Sequence, residues 1–108
     1  MTDEELTDAW EAATVFPHGI THEQHLRIAW VLHRRYGRDE VRTRLVSGTE
    51  RACAAHGCPE KFDADLTERW ADVIADAIDR DGTEATARQF LDAHPQLQRG
   101  DLLGVPDW

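Results

Sequence analysis

The feature that most constrains this sequence is an apolar stripe between residues 66 and 78, where apolar side chains recur every three or four positions. This spacing places them on one face of an α-helix. A helix with one apolar face is stable in water only when other elements cover that face. The chain is therefore expected to fold as helices around a shared core. The stripe consists of Leu66, Trp70, Val73, Ile74, Ala77 and Ile78.

Four other segments repeat this periodicity, and the sequence predicts helices near residues 3–14, 21–36, 39–56, 65–81 and 83–94. Turn signals of glycine and proline separate the segments. The expected fold is all-α, a single compact bundle of about five helices in one domain, residues 1–108, with a short helical turn in the C-terminal tail. Three helices are predicted to begin with capping boxes. These are Thr2-x-x-Glu5, Thr21-x-x-Gln24 and Asp65-x-x-Glu68.

The composition limits where this protein acts and what it binds. The formal net charge is −9, and an acidic surface disfavours binding to nucleic acid or to anionic membranes. No stretch approaches the roughly 20 apolar residues that span a bilayer, and the acidic N-terminus lacks the basic start and apolar run of a secretory signal. The protein is therefore expected in the cytoplasm, with Cys53 and Cys58 as reduced thiols.

Two histidines begin the second predicted helix, and a third ends the next one. His22 and His25 lie four positions before Leu26 and Ala29, which belong to the apolar face of this second helix, so both are expected to face inward. His56 closes the inward stripe of the third helix. Because short links favour antiparallel neighbours, the start of the second helix is expected to meet the end of the third.

The loop after the third helix is short, so the start of the fourth helix and Asp63 are expected at the same end of the bundle. The first helix is also expected to finish there, which would bring His18 close. We refer to this predicted gathering of His22, His25, His56 and Asp63 as the histidine end of the bundle.

Imidazole and carboxylate groups at the histidine end are ligands for zinc, iron, copper or nickel. The spacing His22-x-x-His25 lets one helical face offer two nitrogens to one divalent transition metal ion. The positive end of the helix dipole favours the neutral imidazole, which is the form that binds metal. With Asp65 as helix cap, Asp63 remains available as a ligand. The alternative is structural: part-buried histidines that hydrogen bond to the backbone and to neighbouring carboxylates.

Three motifs give residues 16 to 103 a resemblance to a family of small bacterial all-helical proteins. Residues 21–30 read THEQHLRIAW, residues 54–57 read AAHG and residues 61–67 read KFDADLT. They resemble the family patterns H-x-x-H-L-x-x-A-W, A-x-H-G and K-Y-H-x-T-x-T. The resemblance implies a helical fold that contains His22, His25 and His56, and no particular reaction. Asp63 stands where the family has histidine, and a carboxylate there can preserve the site or mark a member that has lost its chemistry.

Two classes of function follow from these residues. The first is a metal-dependent enzyme or metal-binding protein in which His22, His25 and His56 hold the ion. Asp63 is then the fourth ligand or the general base, and an open coordination position serves a water or a small-molecule substrate.

The second class is a non-catalytic interaction module, an accessory to a protein partner. Five arginines between residues 34 and 44 are expected at the end opposite the histidines, where they can grip phosphate or an acidic partner. The alternative is a solvated face on which they pair with Asp39 and Glu40. A helix-turn-helix DNA binder is disfavoured by the acidic net charge.

Overall fold

The computed structural model describes residues 2–12, 21–55, 57, 64–81 and 86–98. These residues form five α-helices and contain no strand, which confirms the all-α prediction. None of the helices in this part of the chain is both long and apolar enough to cross a membrane. The elements are α1 (Asp3–Glu11), α2 (His22–Tyr36), α3 (Arg38–Ala55), α4 (Ala64–Asp81), α5 (Ala87–Ala93) and a C-terminal 3₁₀ turn (Pro95–Gln98).

Two of the predicted capping boxes are present. The Thr2 hydroxyl accepts a hydrogen bond from the Glu5 amide at 3.1 Å, and the Glu5 carboxylate accepts one from the Thr2 amide at 3.2 Å. Thr21 and Gln24 form the same reciprocal pair at 3.2 and 2.9 Å. Each box satisfies two backbone donors at its helix start. The second box therefore fixes where α2 begins, immediately before the two histidines.

The third predicted box is wrong, because α4 begins at Ala64. Asp65 lies in the first turn of α4, where a carboxylate interacts favourably with the positive end of the helix dipole, and it does not cap the helix. Asp65 in the cap position was the reason to expect Asp63 to be available as a ligand, and Asp65 does not occupy that position.

The fifth helix is shorter than its periodicity predicts. It begins at Ala87 rather than near Thr83, and the hydroxyl of its N-cap residue Thr86 accepts the amide of Gln89 at 3.1 Å. Of the predicted C-terminal turn, the structure describes residues 95–98, a 3₁₀ turn that packs on the bundle as expected, with Leu97 only 2% exposed.

Helix α2 is the central element of the bundle. Helices α1, α3, α4 and α5 and the 3₁₀ turn all pack against it. It is therefore buried on almost every side, whereas the sequence predicted one inward stripe. Its buried residues are His25, Leu26, Ile28, Ala29, Trp30, Val31 and Leu32.

Helices α2 and α4 run in the same direction. His22, at the start of α2, contacts Trp70 in the first half of α4, and His33, near the end of α2, pairs with Asp79 near the end of α4. The starts of both helices therefore lie at the same end of the bundle, as the sequence predicts for the histidine end.

Helix α3 runs in the opposite direction to α4. At its start, Arg38 pairs with Asp79 near the end of α4. One turn later Arg42 pairs with Glu68 in the first half of α4 at 2.9 Å. The end of α3 is therefore directed toward the starts of α2 and α4, which agrees with the predicted convergence.

Helix α1 departs from the prediction, because it runs parallel to α2. Arg27 pairs with Asp3 at 2.6 Å near the start of α1, and Arg35 pairs with Glu11 at 2.9 Å at its end. Helix α1 therefore ends beside the end of α2, away from the histidine end, and the expectation that the first helix finishes there is wrong. The physical reason is that two arginines on α2, eight positions apart, bind carboxylates at both ends of α1.

A close approach between α1 and α3 also shapes the core. Trp10 is 1% exposed, and its indole ring lies directly on the backbone of Gly48. A Cβ atom at position 48 would lie 2.0 Å from the ring carbon Cη2 of Trp10, which is far inside van der Waals contact. Glycine is therefore the residue that lets the tryptophan fill this part of the core.

Candidate metal centre

The structure describes two of the four predicted metal ligands. His22 and His25 occupy the first turn of α2. His56 and Asp63 lie outside the described residues, as do His18 and Cys58. Within the part of the chain that the structure describes, no three histidine, cysteine, aspartate or glutamate side chains form a group that would hold a metal ion. The described part of the candidate centre is therefore a histidine pair.

His25 is a buried, neutral histidine. Its residue surface is only 9% exposed, between α2 and the rest of the core. Burial, which disfavours the charged imidazolium, and to a smaller extent the neighbouring His22 together lower the pKa of His25 to about 4. The ring therefore has no net charge near neutral pH. A neutral imidazole is the form that coordinates a metal ion.

His22 is held by the C-terminal 3₁₀ turn. Its Nε2 atom lies 2.6 Å from the backbone oxygen of Leu97. A carbonyl oxygen only accepts hydrogen bonds, so Nε2 carries the proton and donates it. In the neutral ring the lone pair then resides on Nδ1.

The ring of His22 is also fixed by an aromatic neighbour. It meets the indole of Trp70 at a centroid distance of 4.7 Å and an interplanar angle of 66°, an edge-to-face contact. Trp70 is itself fully buried. Two contacts from different elements, the Leu97 carbonyl and the Trp70 ring, therefore define the orientation of this imidazole.

The contribution of Leu97 was missed by the sequence analysis. A backbone carbonyl has no signature in the sequence, and Leu97 lies 75 positions from the histidine that it binds. The only available signal was an apolar residue in the tail after Pro95, which predicted a turn packed on the bundle and not a hydrogen-bond acceptor for His22.

Two other described histidines, His33 and His94, make contacts within the fold and lie outside the candidate centre. His33 Nε2 lies 3.3 Å from a carboxylate oxygen of Asp79. His94 is buried beside Phe90, with ring centroids 4.9 Å apart, and its Nδ1 accepts from the Gln96 amide at 3.4 Å. These contacts are typical of histidines at the edge of a core.

The predicted arginine cluster is paired within the fold. Arg34 lies over the ring of Trp30 at 4.9 Å, and the other four arginines form ion pairs. Most of the carboxylates come from α1 and α4, whereas the alternative reading expected Asp39 and Glu40. The cluster therefore ties helices together and leaves little unbalanced positive charge for a phosphate. The pairs are Arg35 with Glu4, Asp8 and Glu11, Arg38 with Asp76 and Asp79, Arg42 with Glu68, and Arg44 with Glu40.

A groove of about 430 Å³ lies between the end of α1 and α3, away from the histidine pair. Its floor includes Trp10 and Leu32. Its lining carries charges of both signs, and some of them pair within the protein, since Glu11 binds Arg35 and Arg44 pairs with Glu40. The groove therefore presents no charge of one sign that would select a class of ligand.

Comparisons with known proteins do not extend this description: no protein-family model matches the chain, and neither curated proteins nor solved structures give a match. The resemblance to a family of small bacterial helical proteins therefore stays a prediction. By its fold and its candidate centre, the protein is an all-α bundle whose central helix begins with a pair of inward-facing histidines.

Proposed function

We propose that the histidine end binds one divalent transition metal ion and that His22 and His25 supply two of the ligands. The observation that carries the proposal is the hydrogen bond from His22 Nε2 to the Leu97 carbonyl, 2.6 Å long. A histidine that binds metal usually donates its other ring N–H to a carbonyl or a carboxylate, which fixes the tautomer and the orientation of the ring. His22 has this arrangement.

The state of His25 supports the same proposal. A histidine ligand has to be neutral, and a charged imidazolium competes with metal binding. His25 is buried on α2 three positions after His22, and its pKa lies near 4. Positions i and i+3 share one face of a helix. The pair therefore offers two imidazole donors, a set suited to zinc, copper, nickel or iron rather than to calcium or magnesium.

The remaining ligands in this proposal are His56 and Asp63, assigned from the sequence. His56 directly follows Ala55, the last residue of α3, and Asp63 directly precedes Ala64, the first residue of α4. The helix directions bring these two helix ends toward the start of α2. We propose three imidazole ligands, with Asp63 as the fourth ligand or as the general base for a metal-bound water. The second role would make the protein a small metal-dependent enzyme.

The experiment is a metal-binding titration on tag-free protein that has not contacted a nickel column. Metal content is measured by elemental analysis, and zinc and cobalt(II) affinities are measured by competition with a chelator. We expect one ion per chain. His22→Ala and His25→Leu are each expected to weaken zinc binding by at least about 10-fold. His33→Gln on the same helix is the matched control and is expected to bind like the unmodified protein.

The optical spectrum of the cobalt(II) form adds a second readout, since it reports the number and the kind of ligands. Variants His56→Ala and Asp63→Asn are expected to change this spectrum. Binding well below one ion per chain, unchanged by added zinc, iron or copper, would contradict the proposal. Equal affinities for His22→Ala, His25→Leu and His33→Gln would contradict it as well. The structural reading of the histidines and the interaction-module function would then remain.

A further inference from the structure

The 3₁₀ turn at the end of the described chain contacts the same histidine that we propose as a ligand. We infer that His22 binds the metal ion through Nδ1, that the Leu97 carbonyl is the group that positions it, and that metal binding and docking of the 3₁₀ turn therefore stabilise each other. This inference rests on the proposed function and deepens it, since it names the coordinating atom and the element coupled to the site.

The choice of nitrogen follows from the geometry. An imidazole has two nitrogens, and only the one that carries no proton can coordinate a metal ion. The Leu97 oxygen, 2.6 Å from Nε2, requires the proton on that atom. The edge-to-face contact with Trp70 holds the plane of the ring, and the hydrogen bond to Leu97 selects which nitrogen faces the carbonyl. Nδ1 is therefore the nitrogen that faces an ion.

The 3₁₀ turn is built to hold this carbonyl in place. The Leu97 amide donates to the His94 carbonyl at 3.0 Å, which closes the turn after Pro95. The Leu97 side chain is 2% exposed, and the turn packs against both α2 and α5. Burial of one leucine therefore fixes the position of its own carbonyl relative to α2.

Coupling between the two events follows from the chemistry of the ring. A metal ion on Nδ1 withdraws electron density, so Nε2–H becomes a stronger donor to the Leu97 carbonyl. Removal of such an outer-shell partner typically weakens metal affinity by about 10- to 100-fold. Because linkage is reciprocal, the bound ion is expected to favour the docked turn over the undocked turn by the same factor.

The first test is long-range ¹H–¹⁵N NMR of the histidine rings, with and without zinc. We expect His22 to carry its proton on Nε2 in both states, and its Nδ1 resonance to change when zinc binds. If zinc binds and the His22 signal shows coordination through Nε2, the inference is wrong while the proposed function stands. If no zinc binds, the proposed function fails, and the inference fails with it.

The second test measures hydrogen exchange at the Leu97 amide, which reports docking of the turn. Saturating zinc is expected to slow exchange by about 10- to 100-fold in the unmodified protein. An unchanged rate in protein that has bound zinc would overturn the coupling. His33→Gln is the control and is expected to keep the full zinc effect.

Two substitutions at one position separate the two roles of His22. His22→Gln places an amide N–H where Nε2–H donates but has no lone pair at the Nδ1 position. In this variant the Leu97 amide is expected to exchange as slowly as in the unmodified metal-free protein, and zinc is expected to have no further effect on the rate. His22→Ala is expected to lose both. If exchange in His22→Gln is as fast as in His22→Ala, the hydrogen bond does not dock the turn and the coupling is wrong.

Discussion

Replacement of Gly48 by alanine is the sharpest perturbation that this fold offers. Gly48 lies within α3, and the indole of Trp10 from α1 covers its backbone. In an isolated helix the substitution stabilises, because alanine is favoured over glycine by about 1 kcal/mol in a helix interior. In this protein it adds one carbon at a place where the core has no room. Helix propensity therefore predicts that Gly48→Ala raises the free energy of unfolding, whereas packing predicts that it lowers it.

The magnitudes show that packing dominates. The new Cβ would lie 2.0, 2.4 and 2.6 Å from the ring carbons Cη2, Cζ2 and Cζ3 of Trp10, whereas carbon atoms in contact are about 3.5–4.0 Å apart. Trp10 is 1% exposed, so the rigid ring moves only if the surrounding core moves with it. Overpacking costs about 1–3 kcal/mol. Taking the upper value and subtracting the gain in helix propensity gives a net loss of about 2 kcal/mol.

The assay is chemical and thermal unfolding followed by circular dichroism. A loss of about 2 kcal/mol is expected to lower Tm by about 10 °C in a domain of this size. Ser47→Ala is the matched control, because Ser47 is exposed on the same helix and its substitution changes helix propensity without a clash. It is expected to alter the free energy of unfolding by less than about 0.5 kcal/mol.

A double-mutant cycle with Trp10→Phe tests the cause directly. Phenylalanine lacks the outer ring carbons that meet position 48, so Gly48→Ala is expected to be nearly neutral or stabilising in that background. Two results would refute the reasoning. One is a Gly48→Ala variant as stable as the unmodified protein, and the other is an equal loss of stability in both backgrounds.

Two further predictions concern buried polar groups. The Thr49 hydroxyl is buried and has no hydrogen-bond partner among the described residues, so Thr49→Val is expected to raise the free energy of unfolding by about 1 kcal/mol in urea titrations. Thr7→Val is the control, and it is expected to lower the free energy of unfolding by about 1 kcal/mol, because the Thr7 hydroxyl donates to the Asp3 carbonyl at 2.8 Å. A higher free energy of unfolding in both variants would contradict this reasoning. The pKa of His25 is about 4 in the folded protein against an ordinary value of 6.5. As the pH falls, the side chain is therefore protonated in the unfolded chain before it is protonated in the folded protein. Its contribution to stability is therefore full above pH 6.5 and falls by about 3 kcal/mol as the pH drops to 4. His25→Leu is expected to remove this part of the pH dependence in unfolding titrations at several pH values, and an unchanged pH profile would show that His25 is not the group responsible.

Local features of the fold were predictable because their causes lie within one turn of helix. The boxes at Thr2 and Thr21 formed as predicted, since capping depends on residues three positions apart. The start of α4 was predicted one residue late and the start of α5 four residues early, because several acidic and hydroxyl residues near those starts compete to be the cap.

The candidate site was predictable only in part. The inward position of His25 follows from the periodicity of its own helix, and the structure confirms it. The fixed orientation of His22 depends on the Leu97 carbonyl and the Trp70 ring, which approach from elements far away in the sequence. Periodicity describes which face of a helix is apolar and contains no information about which distant atom meets that face.

The sequence by itself determined the all-α class, the order of the helices and most of the residues that face the core, because helix formation and amphipathic burial depend on spacings of three and four positions. Only the tertiary structure decided that α1 runs parallel to α2, that Trp10 rests on Gly48 and that the C-terminal turn orients His22. Each of these contacts joins residues more than 20 positions apart. Such contacts arise from how whole helices fit together, and one helix's pattern does not specify its partner.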